Sequence, residues 1–185
     1  MKKNLCRKGI CGWLSLSMVL TGMSGSALAL HAEEVQAEES ASVTADIYPK
    51  PQNETYLSDE GMSLSGEVNI VVHGDQEEAT IPKLQEMLAD NGYTYVQGDY
   101  DASKSNIIIS SSREHCDECM KTESEALDHT EGYVLSSSDD ENVNGDVTIV
   151  GSDADGAYYG IMTLRQMLEQ KSSGGKIAEV TIEDY

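Results

Sequence analysis

Three groups of side chains in this 185-residue sequence have residue types and spacings that could support chemistry. The first is His115-Cys116-Asp117-Glu118-Cys119, with His129 ten residues on. Two cysteines this close can form a local disulfide outside the cytoplasm or remain a free pair, and together with the two imidazoles they are ligand types that suit zinc. The disulfide or free pair ranks above zinc, because the interval to His129 matches no common finger and no His-Glu-x-x-His occurs. Thioredoxin-like exchange also ranks lower, since it wants its first cysteine at a helix N-terminus after a strand. The second group is the acidic pair Asp139-Asp140, set in Ser136-Ser137-Ser138-Asp139-Asp140-Glu141-Asn142. Glycosidic cleavage needs carboxylates in a cleft with contrasting acidities, and a solvated turn explains this pair better. The third, Asp99-Tyr100-Asp101-Ala102-Ser103, has the opening of a calcium loop, but Lys104 stands where glycine is required and Ser110 where a bidentate glutamate should be. No catalytic, cofactor-binding or metal residue is assigned on this chain.

The elements that must position these groups are clearest in residues 146–168. A β-branched run, Val147 to Val150, is closed by Gly151, and Ser152, Asp153 and Asp155 are three candidate helix caps. Ala157, Ile161, Leu164 and Leu168 then share one helical face. Gly160 costs roughly 1 kcal/mol inside a helix, which close approach to a sheet or a second helix would justify. Gly156 at the helix start could offer backbone N–H groups to an anion, but Asp153 and Asp155 already bring negative charge there. Capping is the stronger reading, and no complete nucleotide-binding glycine motif occurs.

Upstream, residues 68–73 read as a buried strand between Gly66 and Gly74. A helix follows, with Thr80 as cap, Pro82 in the first turn, Ile81, Leu84 and Leu88 on one face, and Asn91-Gly92 as a left-handed stop. Residues 93–96 and 106–110 read as strands, and residues 111–130 as a polar surface excursion. Residues 132–136 and 146–150 are spaced to pair as a hairpin, and residues 178–182 form a last extended piece. The order is strand, helix, two strands, hairpin, helix, strand. It predicts an α+β fold: a mixed β-sheet with two helices on one face.

Lys2, Lys3, Arg7 and Lys8 precede an apolar stretch from residue 10 to 23, with Ala27-Leu28-Ala29 and Leu30-His31-Ala32 as small-residue cleavage sites. Residues 1–32 read as a secretory signal peptide, 33–46 as a disordered acidic linker, and 47–185 as the folded domain. Cleavage after Ala32 removes four of the twelve basic residues and none of the thirty-three acidic ones, leaving a net charge of −25. Such a chain repels nucleic acid and anionic membranes, and no membrane contact is expected after signal cleavage. Phe is absent and the single Trp, Trp13, goes with the signal peptide, so nine tyrosines carry the aromatic load. They serve as ordinary half-buried residues or, exposed, as platforms for sugar rings.

Three stretches, taken in order and spacing, resemble the small α/β domain that precedes the catalytic barrel in glycoside hydrolase family 84 and, more distantly, family 20. They are Ile47-Tyr48-Pro49-Lys50-Pro51-Gln52; the acidic glycine-rich turn with Tyr159-Gly160, Thr163-Leu164 and Gln166; and Val180-Thr181-Ile182-Glu183-Asp184-Tyr185. Tyr158-Tyr159-Gly160 and the Glu183-Asp184-Tyr185 ending favour family 84. The resemblance implies a zincin-like fold without a metal centre and a secreted bacterial β-N-acetylglucosaminidase, hexosaminidase or hyaluronidase as the parent enzyme. It also implies a substrate-assisted mechanism run by two adjacent acidic residues on the barrel, beyond the position matching Tyr185. The partner expected is therefore a catalytic barrel of the same polypeptide, absent from these 185 residues. The alternative is a free-standing extracellular module binding N-acetylglucosamine-containing glycans through Tyr93, Tyr95 and Tyr100.

Overall fold

The computed structural model describes residues 42–172 and 174–185; the signal peptide and residues 33–41 of the linker lie outside the described residues. Seven strands form one sheet: β1 (Asn53–Met62), β2 (Glu67–His73), β3 (Thr94–Gln97), β4 (Ser105–Ser110), β5 (Tyr133–Ser138), β6 (Asp146–Gly151) and β7 (Ile177–Asp184). Their order is β1-β7-β5-β6-β4-β2-β3. The strands β3, β2, β4 and β6 are parallel, whereas β5, β7 and β1 continue the sheet by antiparallel pairing. The mixed α+β sheet read from the element order is the sheet observed, and the hairpin places Val134 opposite Val150 and Leu135 opposite Ile149.

Alternation along the central strands sorts residues between two faces. Val68, Ile70, Ile107, Ile109, Val147 and Ile149 enter one core with Leu84, Met87 and Leu88 of α1 (Thr80–Asp90) and Ile161, Leu164, Met167 and Leu168 of α3 (Ala154–Glu169). Both long helices therefore lie on one face. Residues between those positions face the other side, where Val71, Ile108 and Val150 form a small second cluster with Cys119.

Four details depart from the sequence reading. Strand β1 was not expected, because seven or more of its residues are exposed or polar and it pairs only with β7, through two register shifts. Gly61 at φ +63° serves that irregularity, since a Cβ there would meet the Ile177 carbonyl at 2.6 Å. Thr80 does not cap α1: Ala79 precedes the helix without a side-chain cap, and Thr80 is its first, fully buried residue. Ordered structure reaches back into the expected linker, where Ala45 is buried and its carbonyl accepts from Tyr56 Oη at 2.9 Å. The excursion at residues 111–130 is not merely surface: it holds two 3-10 turns and the short α2 (Asp117–Met120), and it buries Cys119 and Ala126. No helix among the described residues is long and apolar enough to cross a membrane.

Candidate functional site

The cysteine pair is a disulfide, Cys116–Cys119. Cys116 Sγ also accepts the Cys119 N–H at 3.0 Å, so the bond is folded into the turn that covers the second face. His129 is engaged elsewhere, its ring stacked on Tyr185 at 3.9 Å between centroids. Among the described residues no group of three or more His, Cys, Asp or Glu is placed to hold a metal. The Asp139-Asp140 pair is exposed on the β5–β6 turn, with the Asp139 N–H given to Glu179 Oε1 and the Asp140 N–H to Ser138 Oγ. Asp101, at the calcium-like stretch, accepts the N–H and hydroxyl of Ser103 with one carboxylate oxygen. Those bonds hold its carboxyl below the usual range.

Asp146 organises the polar end of the second face. Its Oδ1 accepts the backbone N–H of Asn106 at 2.9 Å, the Asn106 amide at 3.0 Å and the Asn142 amide at 2.8 Å, while Oδ2 accepts the Tyr100 hydroxyl at 2.9 Å. Partial burial, then the bond to Asp146, pushes the Tyr100 phenol up to about 12. Asn106 extends the network to Asn69 at 2.9 Å. A shallow concavity of about 680 Å³ lies beside it, bordered by Tyr100, Lys121, Ser136, Asp140, Glu141 and Thr148. The three tyrosines named as a sugar platform do not share a face. Tyr95 sits opposite Val68 in register and so points to the helix side, Tyr93 packs on the helix-side core under Lys171 Nζ, and Tyr100 lies on the other side.

A second concavity collects the residues that carried the family resemblance. About 370 Å³ in volume, it is lined by Tyr48 and Pro49, by Tyr159 and Gln166 of α3, and by Asp184 and Tyr185 at the end of β7. The local causes can be traced. Asp153 caps α3, accepting the Gly156 N–H at 2.8 Å with one oxygen and the Glu131 N–H at 3.0 Å with the other. The helix N-terminus is thus occupied by its own cap, as the two aspartates suggested. Gly160 lets α3 lie directly on the sheet, because a Cβ there would stand 2.4 Å from Ile149 Cγ2 and 3.2 Å from the Tyr133 ring. Below it the hydroxyls of Tyr133 and Thr163 share a buried bond of 2.6 Å, and burial pushes the Tyr133 phenol up to about 12.

Gln166 then reads the backbone of Tyr48 as a neighbouring strand would. Its Oε1 accepts the Tyr48 N–H at 2.9 Å and its amide donates to the Tyr48 carbonyl at 3.0 Å. Gln170, one turn on, holds Asp46 the same way, with both bonds at 2.8 Å. The Tyr48–Pro49 peptide is cis. Tyr48 is left 84% exposed, Tyr159 45% and Tyr185 49%, three aromatic rings around one cleft. The sequence named these residues separately. Their meeting depends on a contact between positions 118 apart, which no local pattern discloses.

Comparison with known proteins agrees with this geometry. Among solved structures, CpGH84D matches with TM-score 0.67 and 25% identity over 77% of this chain, and CpGH84B with TM-score 0.56 and 27% identity over 76%. The β-N-acetylhexosaminidase from Bacteroides fragilis NCTC 9343 shares the fold over 75% of the chain, with TM-score 0.50 at 18% identity. The matched region spans only 24%, 22% and 24% of those proteins, respectively. The family model for glycosyl hydrolase family 20, domain 2, matches residues 44–185, which is the whole sheet with its two long helices and the clamped segment at Tyr48. By fold and by sequence, therefore, the chain belongs to the domain 2 family of glycosyl hydrolase family 20, a glycoside hydrolase accessory domain.

Proposed function

We propose that these residues are the non-catalytic N-terminal domain of a secreted, family 84-like bacterial β-N-acetylglucosaminidase, and that their work is to support a catalytic barrel in the same polypeptide. The observation that carries this reading is the family match over residues 44–185 combined with its small share, about a quarter, of the CpGH84D chain. Family 84 is preferred to family 20 because CpGH84D and CpGH84B give TM-scores of 0.67 and 0.56. Secretion is supported by Lys2, Lys3, Arg7 and Lys8 before the apolar stretch and by the Cys116–Cys119 disulfide.

The parent reaction is removal of terminal N-acetylglucosamine. The substrate's acetamido oxygen attacks the anomeric carbon, assisted by two adjacent acids carried outside residues 1–185. This chain's own acidic pair, Asp139-Asp140, stays solvated on a turn and takes no part. Hydrolysis of a chromogenic N-acetylglucosaminide tests the proposal. The 185-residue chain should be inactive, and the full reading frame that encodes it should be active. Turnover by the 185-residue chain that survives repurification would defeat the assignment, as would a full-length product that is inert.

A further inference from the structure

We propose that the cleft between residues 47–49, the first half of α3 and the end of β7 is the seat of that catalytic domain, with Tyr48 and Tyr159 as its anchors. The inference rests on the accessory-domain reading above. Single exposed aromatics are common on protein surfaces, but three around one concavity are the composition of an interface core. The other large exposed apolar residues are dispersed: Tyr56 and Leu57 on β1, Tyr95 and Val96 on β3, Tyr100 and Val143 in loops.

The anchors are also ordered in advance. Gln166 fixes the backbone of Tyr48, and His129 stacks on Tyr185, so docking would immobilise little that is free. The cleft's polar groups are already engaged, Gln166 with Tyr48 and Thr163 with Tyr133. A sugar would find aromatic faces there but few free partners for its hydroxyls, which argues for a protein surface as occupant. A second copy of this chain would bring another strongly acidic body against the first. A domain joined through Tyr185 meets neither objection, and the tether holds it at high local concentration beside the cleft.

Hydroxyl-radical footprinting of the whole glycosidase polypeptide against the 185-residue chain tests the seat. Tyr48 and Tyr159 should be oxidised at least fivefold more slowly in the whole polypeptide, while Tyr95 and Tyr100 change less than twofold. Equal rates for Tyr48 and Tyr159 in a catalytically active polypeptide overturn the seat and leave the accessory-domain reading standing; an inactive polypeptide fails that reading instead. Protection of the two tyrosines in the 185-residue chain, on concentration or on adding N-acetylglucosamine tetramer, assigns the cleft to a second copy or to a glycan and also overturns it. As an independent arm, Tyr159→Asp alters an exposed side chain and should leave the circular dichroism unchanged. It should make the whole polypeptide at least tenfold more sensitive to protease between the domains, and unchanged sensitivity counts against the proposal.

Discussion

The two faces of the sheet are built from alternate residues of the same strands, yet they are closed by different means. On one face α1 and α3 bury a continuous core, and its main polar contact is the Tyr133–Thr163 bond. On the other, a few apolar residues lie under the disulfide turn, and the rest of the surface is held by amides converging on Asp146. Packing volume fixes the first face and hydrogen-bond direction fixes the second. The two faces should therefore fail differently. The first resists any added atom and collapses cooperatively, whereas the second loosens locally when one acceptor is withdrawn.

The sharpest way to break this contrast is Gly160→Val, which forces two methyl groups into a space where even a Cβ would stand 2.4 Å from Ile149. Overpacking predicts a loss of about 3 kcal/mol in denaturant titration; a loss below about 0.5 kcal/mol would show that α3 yields easily. Next comes Asp146→Ala, which strands the Asn106 N–H and the Asn142 amide and should cost about 2 kcal/mol. It should also lower the Tyr100 phenol from about 12, by removing the carboxylate that accepts its proton. The sign follows from linkage. Tyr100 is raised above its ordinary value of 10, so its contribution is complete below about pH 10 and is lost as pH rises through 12. Absorbance titration of tyrosinate should show that phenol moving towards 10 in the variant, and an unchanged curve would remove Asp146 from its environment. The smallest effect is expected from reducing Cys116–Cys119. So short a loop is worth roughly 2 kcal/mol or less, and hydrogen exchange should rise within residues 111–128 without change in α3. Loss of protection in α3 would mean that the two faces are one cooperative unit.

Periodicity made the centre of the molecule legible. Val147 to Val150, residues 106–110 and the Ile161-Leu164-Leu168 face announce buried strands and a packed helix, and Gly160 announces a close approach that the structure realises against Ile149. What failed to show was whatever depends on a partner far along the chain. Strand β1 has no alternation, because it is an edge paired only with β7. Thr80 has the chemistry of a cap but is drawn into the core. The aromatic cleft is assembled by Gln166 reaching Tyr48, so its residues could be picked out by family resemblance but not brought together by it.

The clamp of Gln166 on Tyr48 carries one more consequence. The chain runs into the folded unit and out of it at the same place: residues 47–49 and 184–185 border one cleft, the Gln52 N–H bonds Asp184 Oδ1, and Asn53 pairs with Glu183. A unit whose two ends meet can be spliced into a longer polypeptide, or removed from it, without stretching its neighbours. The fold is thereby suited to exchange between genes as a cassette, with Tyr48 and Tyr185 marking the seam.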